Sequence, residues 1–299
     1  MSNLSNPFVS VIIPVFNDSE RLKICLQALE KQTYLKNLYE IIVVDNCSEE
    51  SVEHIIAEFK QVKLSSEASP GSYAARNKGI ALAKGEVFAF IDSDCIPKPQ
   101  WIENGVNALK SETADLVGGK VTFTFSPEKT SSEMYDSITN MQIKKSIESK
   151  KVSKTANLFV HNYVFDSIGL FPAYLQSGGD VMWTKRATDA NFKLIYSPHA
   201  EVLHPARKLL LLLKKQYRVG RGQPSIWLEQ GQTLSQVLIK TFFDFRPPSP
   251  QNFWRFICQD GTDEMRSKFI SMWLIAWICI TTTSLGRLNS IFKQAISSR

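Results

Sequence analysis

The chain has 299 residues, 43% apolar and 21% charged, which fits a globular protein with a substantial core and excludes a low-complexity or disordered chain. Its net charge of +6 is uneven: residues 1–205 hold 21 Lys+Arg against 24 Asp+Glu, whereas residues 206–299 hold 14 against 5. Five scattered cysteines without a Cys-x-x-Cys pair exclude a disulfide framework and suit a reducing compartment.

In chain order, residues 9–15 read as a buried strand, after which Asp18 or Ser19 can cap a helix carrying Leu22, Cys25, Leu26 and Leu29 at helical spacing. Residues 39–44 form a second buried strand ending at Asp45, and Ser51 caps a helix with Val52, Ile55, Ile56 and Phe59 on one face. Pro70-Gly71 turns into a helix over 72–83, stopped by Gly85. Five consecutive apolar residues, 87–91, make a third strand that ends in Asp92-Ser93-Asp94. Repeated β-α units of this length predict an α/β fold with a mostly parallel sheet and helices on both faces. Beyond Pro99, a helix carries Trp101, Ile102, Val106 and Leu109, and a strand over 115–125 is broken at Gly118-Gly119. Residues 126–154 are polar, with Met134, Ile138, Met141 and Ile147 loosely helical. Ser177-Gly178-Gly179-Asp180 precedes a helix over 181–190, and short strands at 192–196 and 201–204 flank Ser197-Pro198-His199.

The tail differs. Five leucines at 209–213 lie between basic pairs, too few to cross a bilayer. Phe242, Phe243, Phe245, Phe253, Trp254 and Phe256 surround Arg246-Pro247-Pro248. Residues 269–286 carry no charge, so they can span a bilayer, lie in its plane, or pack on the protein. Basic groups among aromatics point to an anionic membrane surface as partner rather than nucleic acid. No secretory signal is read at the N-terminus.

The chemistry concentrates at strand ends. If the first three strands are parallel, Pro14-Val15-Phe16-Asn17, Asp45-Asn46-Cys47-Ser48 and Asp92-Ser93-Asp94 open on one sheet edge and form one cleft. Two hard carboxylates one residue apart suit Mg2+ or Mn2+, and such an ion usually accompanies a phosphate. Arg76 and Lys78 on the 72–83 helix bring cations toward that edge. Neither a Gly-x-Gly-x-x-Gly nor a Gly-Lys-Ser/Thr motif is present.

The ordered set of Ser10-Val11-Ile12-Ile13-Pro14-Val15-Phe16-Asn17, Ile42-Val43-Val44-Asp45-Asn46-Cys47-Ser48, Ala74-Ala75-Arg76-Asn77-Lys78-Gly79 and Phe90-Ile91-Asp92-Ser93-Asp94 resembles the family 2 glycosyltransferases. The resemblance covers about 200 residues and implies a GT-A, Rossmann-like α/β fold with a mixed, mostly parallel sheet flanked by helices. It implies inverting transfer of a sugar from a nucleotide-diphosphate donor such as a UDP- or GDP-sugar. It further implies that Pro14, Val15, Asn17, Asp45, Arg76, Asp92 and Ser93 bind the donor and that Asp94, with Asp92, ligates Mn2+ or Mg2+. Asp180 would be the base; many members have an acidic residue just before it, and here that position is Gly179. His204 is a candidate third metal ligand. Gln216-Tyr217-Arg218-Val219-Gly220 resembles the Gln-x-x-Arg-Trp motif of processive synthases without its Trp, so polymerisation is not expected, while Arg218 is a candidate donor contact. The resulting expectation is a catalytic domain over 1–222 and a basic, aromatic-rich helical region over 223–299. The enzyme would be membrane-associated, with its catalytic domain on the cytoplasmic side and a saccharide or lipid-linked acceptor. The alternatives are a sugar nucleotidyltransferase, which should carry a Gly-rich basic loop after the first strand, and a non-catalytic binding module of the same fold.

Overall fold

In a computed structural model that describes residues 6–297, the first strand, β1 (Val9–Val15), is buried at every position. Alternation decides which face each side chain meets. Val9, Val11, Ile13 and Val15 join a core cluster with Leu22, Cys25, Leu26 and Leu29 of the helix Ser19–Leu29 and Trp101, Ile102 and Val106 of the helix Trp101–Ser111. Ile12 points to the other face, where a Cβ on Gly79 would stand 2.5 Å from its Cγ2, so the helix Ser72–Leu82 lies directly on the sheet.

The remaining strands are β2 (Tyr39–Asp45), β3 (Val62–Ser66), β4 (Val87–Ile91), β5 (Ile96–Pro97), β6 (Leu116–Thr124), β7 (Asn157–His161) and β8 (Leu194–Pro205). They form one sheet in the order β3-β2-β1-β4-β7-β6-β8-β5. β3, β2, β1 and β4 run parallel, while β7 pairs antiparallel with both β4 and β6, and β5 pairs antiparallel with β8. The mixed, mostly parallel sheet read from the sequence is the sheet observed.

The structure departs from these expectations at several elements. β3 is half-exposed and β7 has only three apolar residues in a row, so neither carries a local strand signal; long-range pairing makes them strands. The helix Asn162–Ile168 was likewise not anticipated. Pro198 does not divide β8, because it and His199 are exposed and the strand runs on through them. The polar stretch 126–154 resolves into the helices Ser131–Thr139 and Ile143–Lys150.

The chain forms two compact units, and these interleave in sequence. The first holds the residues up to Thr122 with Met141–Tyr174 and Gly179–Pro205; the second holds Phe123–Asn140, Leu175–Gly178 and the residues from Ala206. In the second, the helices Leu209–Glu229 and Phe269–Ser297 approach so closely that a Cβ on Gly220 would stand 2.0 Å from Thr283 O and one on Gly286 2.2 Å from Tyr217 O. Met272, Ala276 and Cys279 face this unit's core with Met134, Leu212, Phe253 and Ile257. Asp136 is fully buried there and accepts from Arg207 N–H at 3.0 Å and Asn140 Nδ2 at 2.6 Å, with Arg207 Nη1 3.4 Å away.

Candidate active site

Parallel pairing of β1 with β2 and β4, in the registers Val15↔Asp45 and Ile12↔Phe90, brings three strand ends to one edge. Asn17 adopts φ +47°, its N–H donates to Ser48 Oγ at 2.9 Å, and its Oδ1 accepts from Glu49 N–H at 2.7 Å. The loops after β1 and β2 are thereby tied together. Asp45 Oδ1 accepts from Ser48 N–H at 3.3 Å, and Asn46 accepts from Gly71 N–H at 2.7 Å, fixing the entry to the helix Ser72–Leu82. Pro14 and Val15 are buried, so they set the position of the strand end and not an exposed side-chain contact.

Asp92 and Asp94 lie on a tight turn closed by Cys95 N–H donating to Asp92 O at 3.1 Å. Arg76 is 4% exposed; its Nη2 lies 2.5 Å from Asp92 Oδ1, while its Nε is buried without a partner. The guanidinium predicted to face the donor therefore anchors Asp92. Pairing of Ile96 with Leu203 in β5 and β8 sets His204 beside Asp94, with Nε2 3.5 Å from Asp94 Oδ2. His204 is fully buried, and its Nδ1 lies 2.8 Å from Pro205 O. With the proton on Nδ1, Nε2 turns an acceptor toward the carboxylate, the arrangement of two ligands that share a cation.

Asp94, Cys95 and His204 bring possible ligand atoms within 4.8 Å of one another. Burial, with Asp94 and Asp92 adding, pushes the Cys95 thiol well above its usual value. Carboxylate and imidazole are harder donors than a thiol, and Asp94 with His204 is a set that fits Mn2+ or Mg2+ better than a soft ion.

Asp180 lies in the first turn of the helix Gly179–Asp189. Its Oδ1 accepts from Tyr73 OH at 2.9 Å and from Val181 N–H at 2.9 Å, and its Oδ2 accepts from Thr155 N–H at 3.3 Å. Trp183 is core: it stacks on Phe165 at 4.3 Å between centroids and donates from Nε1 to Gly169 O at 2.7 Å. The first unit thus gathers Asn17, Asp45, Arg76, Asp92, Ser93, Asp94, Asp180 and His204. Arg218 is exposed on the helix Leu209–Glu229 of the second unit.

Sequence reasoning missed Asp18, Arg21 and Tyr73 as members of the site. Asp18 makes no side-chain capping bond; its Oδ1 meets Arg21 Nε at 3.0 Å, and Arg21 Nη1 lies 3.8 Å from Asp94 Oδ2. Burial raises the Asp18 carboxyl above its ordinary value, Arg21 opposes this, and the neighbouring Asp94 adds to it. The available signal was an acid directly after Asn17 at a strand's C-terminal edge. Tyr73 had a signal too, three residues before Arg76 on one helix face.

The profile described as "Glycosyl transferase family 2" matches residues 10–172, which includes Asn17, Asp45, Arg76, Asp92 and Asp94 but stops short of Asp180 and His204. The chain is 42% identical over 296 residues to the glycosyltransferase AglE of Haloferax volcanii, an alignment covering 96% of this chain and 97% of that one. Among solved structures it is similar to the mannosyltransferase PcManGT of Pyrobaculum calidifontis in complex with GDP-Man and Mn2+. That likeness has a TM-score of 0.62 at 16% identity and covers 99% of this chain and 89% of that one. It is also similar to S. aureus TarS 1–349 in complex with UDP, with a TM-score of 0.54 at 15% identity, over 96% and 91% of the two chains.

Proposed function

The chain belongs to the family 2 glycosyltransferases, and from that premise we propose that it transfers a sugar, with inversion, from a UDP- or GDP-sugar to a hydroxyl of a saccharide or lipid-linked acceptor. The observation that carries this reading is the convergence of three parallel strand ends, which puts Asn17, Asp45 and Asp92-Ser93-Asp94 on one edge. Asp45 and Asn17 border the nucleotide; Arg76 holds Asp92 toward the ribose. Asp94 and His204 would hold Mn2+ or Mg2+, which when bound neutralises charge on the departing diphosphate. Asp180 takes the acceptor's proton as its oxygen bonds to the anomeric carbon and the nucleoside diphosphate leaves from the opposite face. Support for donor and ion also comes from the GDP-Man, Mn2+ and UDP held by the structural neighbours. A nucleotidyltransferase would need a Gly-rich loop after β1, and here that loop is Phe16-Asn17-Asp18.

The second unit supports placement at a membrane for polysaccharide or glycolipid synthesis. The helix Phe269–Ser297 is two-faced: Met272, Ala276, Cys279, Thr283 and Arg287 are buried, whereas Ile270, Leu274, Trp277, Ile278, Leu285 and Phe292 are exposed. Its neighbours Leu234–Phe243 and Pro250–Asp260 have 10 and 11 residues, about half of what a bilayer crossing needs. They expose Phe242, Phe243 and Trp254 next to exposed Arg246 and Arg255. One apolar face fringed with cations suits a helix lying in the plane of an anionic bilayer. The cytoplasmic side follows from where nucleotide sugars are made.

A panel of UDP- and GDP-sugars with MnCl2 or MgCl2, scored by thermal protection and nucleoside diphosphate release, tests the donor reading. Protection by at least one donor that depends on the metal supports it; protection by none, with no release, removes it.

A further inference from the structure

The geometry points to Tyr73 as the positioning residue of the proposed base: its hydroxyl fixes the Asp180 carboxylate in the orientation that accepts a proton. This inference rests on the reading of Asp180 as base. Tyr73 is 5% exposed, and burial pushes its phenol well above the usual range, so it stays protonated and can only donate to a neighbouring carboxylate. That donation reaches Asp180 Oδ1 at 2.9 Å. An ionised carboxylate offers about four lone-pair sites. Tyr73 OH and Val181 N–H take those of Oδ1 and Thr155 N–H takes one on Oδ2, which leaves the remaining Oδ2 site for an incoming proton.

The ring is itself held. A Cβ on Gly179 would stand 2.8 Å from Tyr73 Cε2, so the bare backbone before Asp180 is what lets the phenol in. Phe171 lies 6.1 Å from the ring centroid, and the Arg76 guanidinium 5.7 Å from it. Arg76 in turn holds Asp92. Positions 73 and 76 lie on one face of the same helix, so a single rigid element sets both the carboxylate assigned to the donor and the one assigned to the acceptor.

The test uses the full chain, with GDP-mannose, UDP-glucose and UDP-N-acetylglucosamine as probes in MnCl2, read as nucleoside diphosphate release. Tyr73→Phe keeps the ring and removes only the hydroxyl. The expected result is a kcat lower by about tenfold to a hundredfold, with donor Kd by calorimetry within about twofold of wild type and an unchanged melting temperature. In an Asp180→Asn background the same change should have no further effect on kcat. Wild-type kcat in Tyr73→Phe, a donor Kd weakened as much as kcat, or a further loss in the Asp180→Asn background would overturn the positioning role. Wild-type kcat in Asp180→Asn removes the base reading instead, and no release from any donor by the wild-type chain removes the transfer reading beneath both.

Discussion

Gly179→Ala is a single-methyl test of how tightly the site is built. The added Cβ would stand 2.8, 3.0 and 3.1 Å from Cε2, Cδ2 and Cζ of Tyr73. Carbon atoms settle near 3.6 Å, so the ring must retreat by about 0.8 Å. A retreat of that size directed away from Asp180 would lengthen the hydroxyl's 2.9 Å bond to about 3.7 Å, beyond hydrogen-bonding range. Retreat is opposed by Phe171 and the Arg76 guanidinium, and overpacking of this kind costs about 1–3 kcal/mol. Loss of a hydrogen bond to a charged group removes roughly another 1.5–3 kcal/mol, which in the reaction is a drop of about tenfold to a hundredfold in kcat. Thermal unfolding and nucleoside diphosphate release measure the two effects separately. Gly179→Ala with wild-type melting and wild-type kcat would refute the packing argument.

Other outcomes follow from the same physics. Burial would raise the Glu133 carboxyl, but hydrogen bonds from Thr130 and Ser126 outweigh it and bring it down to about 2. A depressed carboxyl stabilises the fold above its ordinary value of 4.5, and that contribution is lost as pH falls toward 2. Glu133→Gln should therefore lower stability at neutral pH and flatten its acid dependence in urea titrations; an unchanged slope between pH 5 and 2 would contradict this. Phe242→Glu with Phe243→Glu alters two exposed side chains and should leave folding intact. Flotation with vesicles containing phosphatidylglycerol should weaken at least about tenfold. A C-terminal tag on vesicle-bound protein should stay open to added protease, whereas protection of the tag would show a spanning helix. Arg76→Met leaves Asp92 without its partner at 2.5 Å and should weaken donor binding, with equal donor Kd as the contrary result.

Much of the site was legible because its signals are local. Apolar runs ending in Asn17, Asp45 and Asp92-Ser93-Asp94 declare buried strands with polar ends, and the parallel registers put those ends together. His204 was readable only as a candidate, since its place beside Asp94 depends on the pairing of Ile96 with Leu203. The contact of Tyr73 with Asp180 joins residues 107 apart and has no local trace. Asp18 was read as a helix cap, and capping and ion pairing draw on the same residue type, so only geometry separates them. β7 is a strand by virtue of its neighbours β4 and β6 and not by its own three apolar residues. The uncharged stretch 269–286 leaves spanning, in-plane and packed placements open in sequence, because only the close approach of Gly220 to Thr283 shows that one of its faces is buried in protein.

The central claim is that the Asp94–His204 corner holds a divalent ion under a nucleotide-sugar diphosphate. Calorimetry of GDP-mannose and UDP-sugars with and without MnCl2, on wild type and Asp94→Asn, tests it most directly. The account predicts Mn2+-dependent binding of at least one donor by wild type and loss of that dependence in a folded Asp94→Asn. Equal Mn2+-dependent binding by both proteins would contradict it.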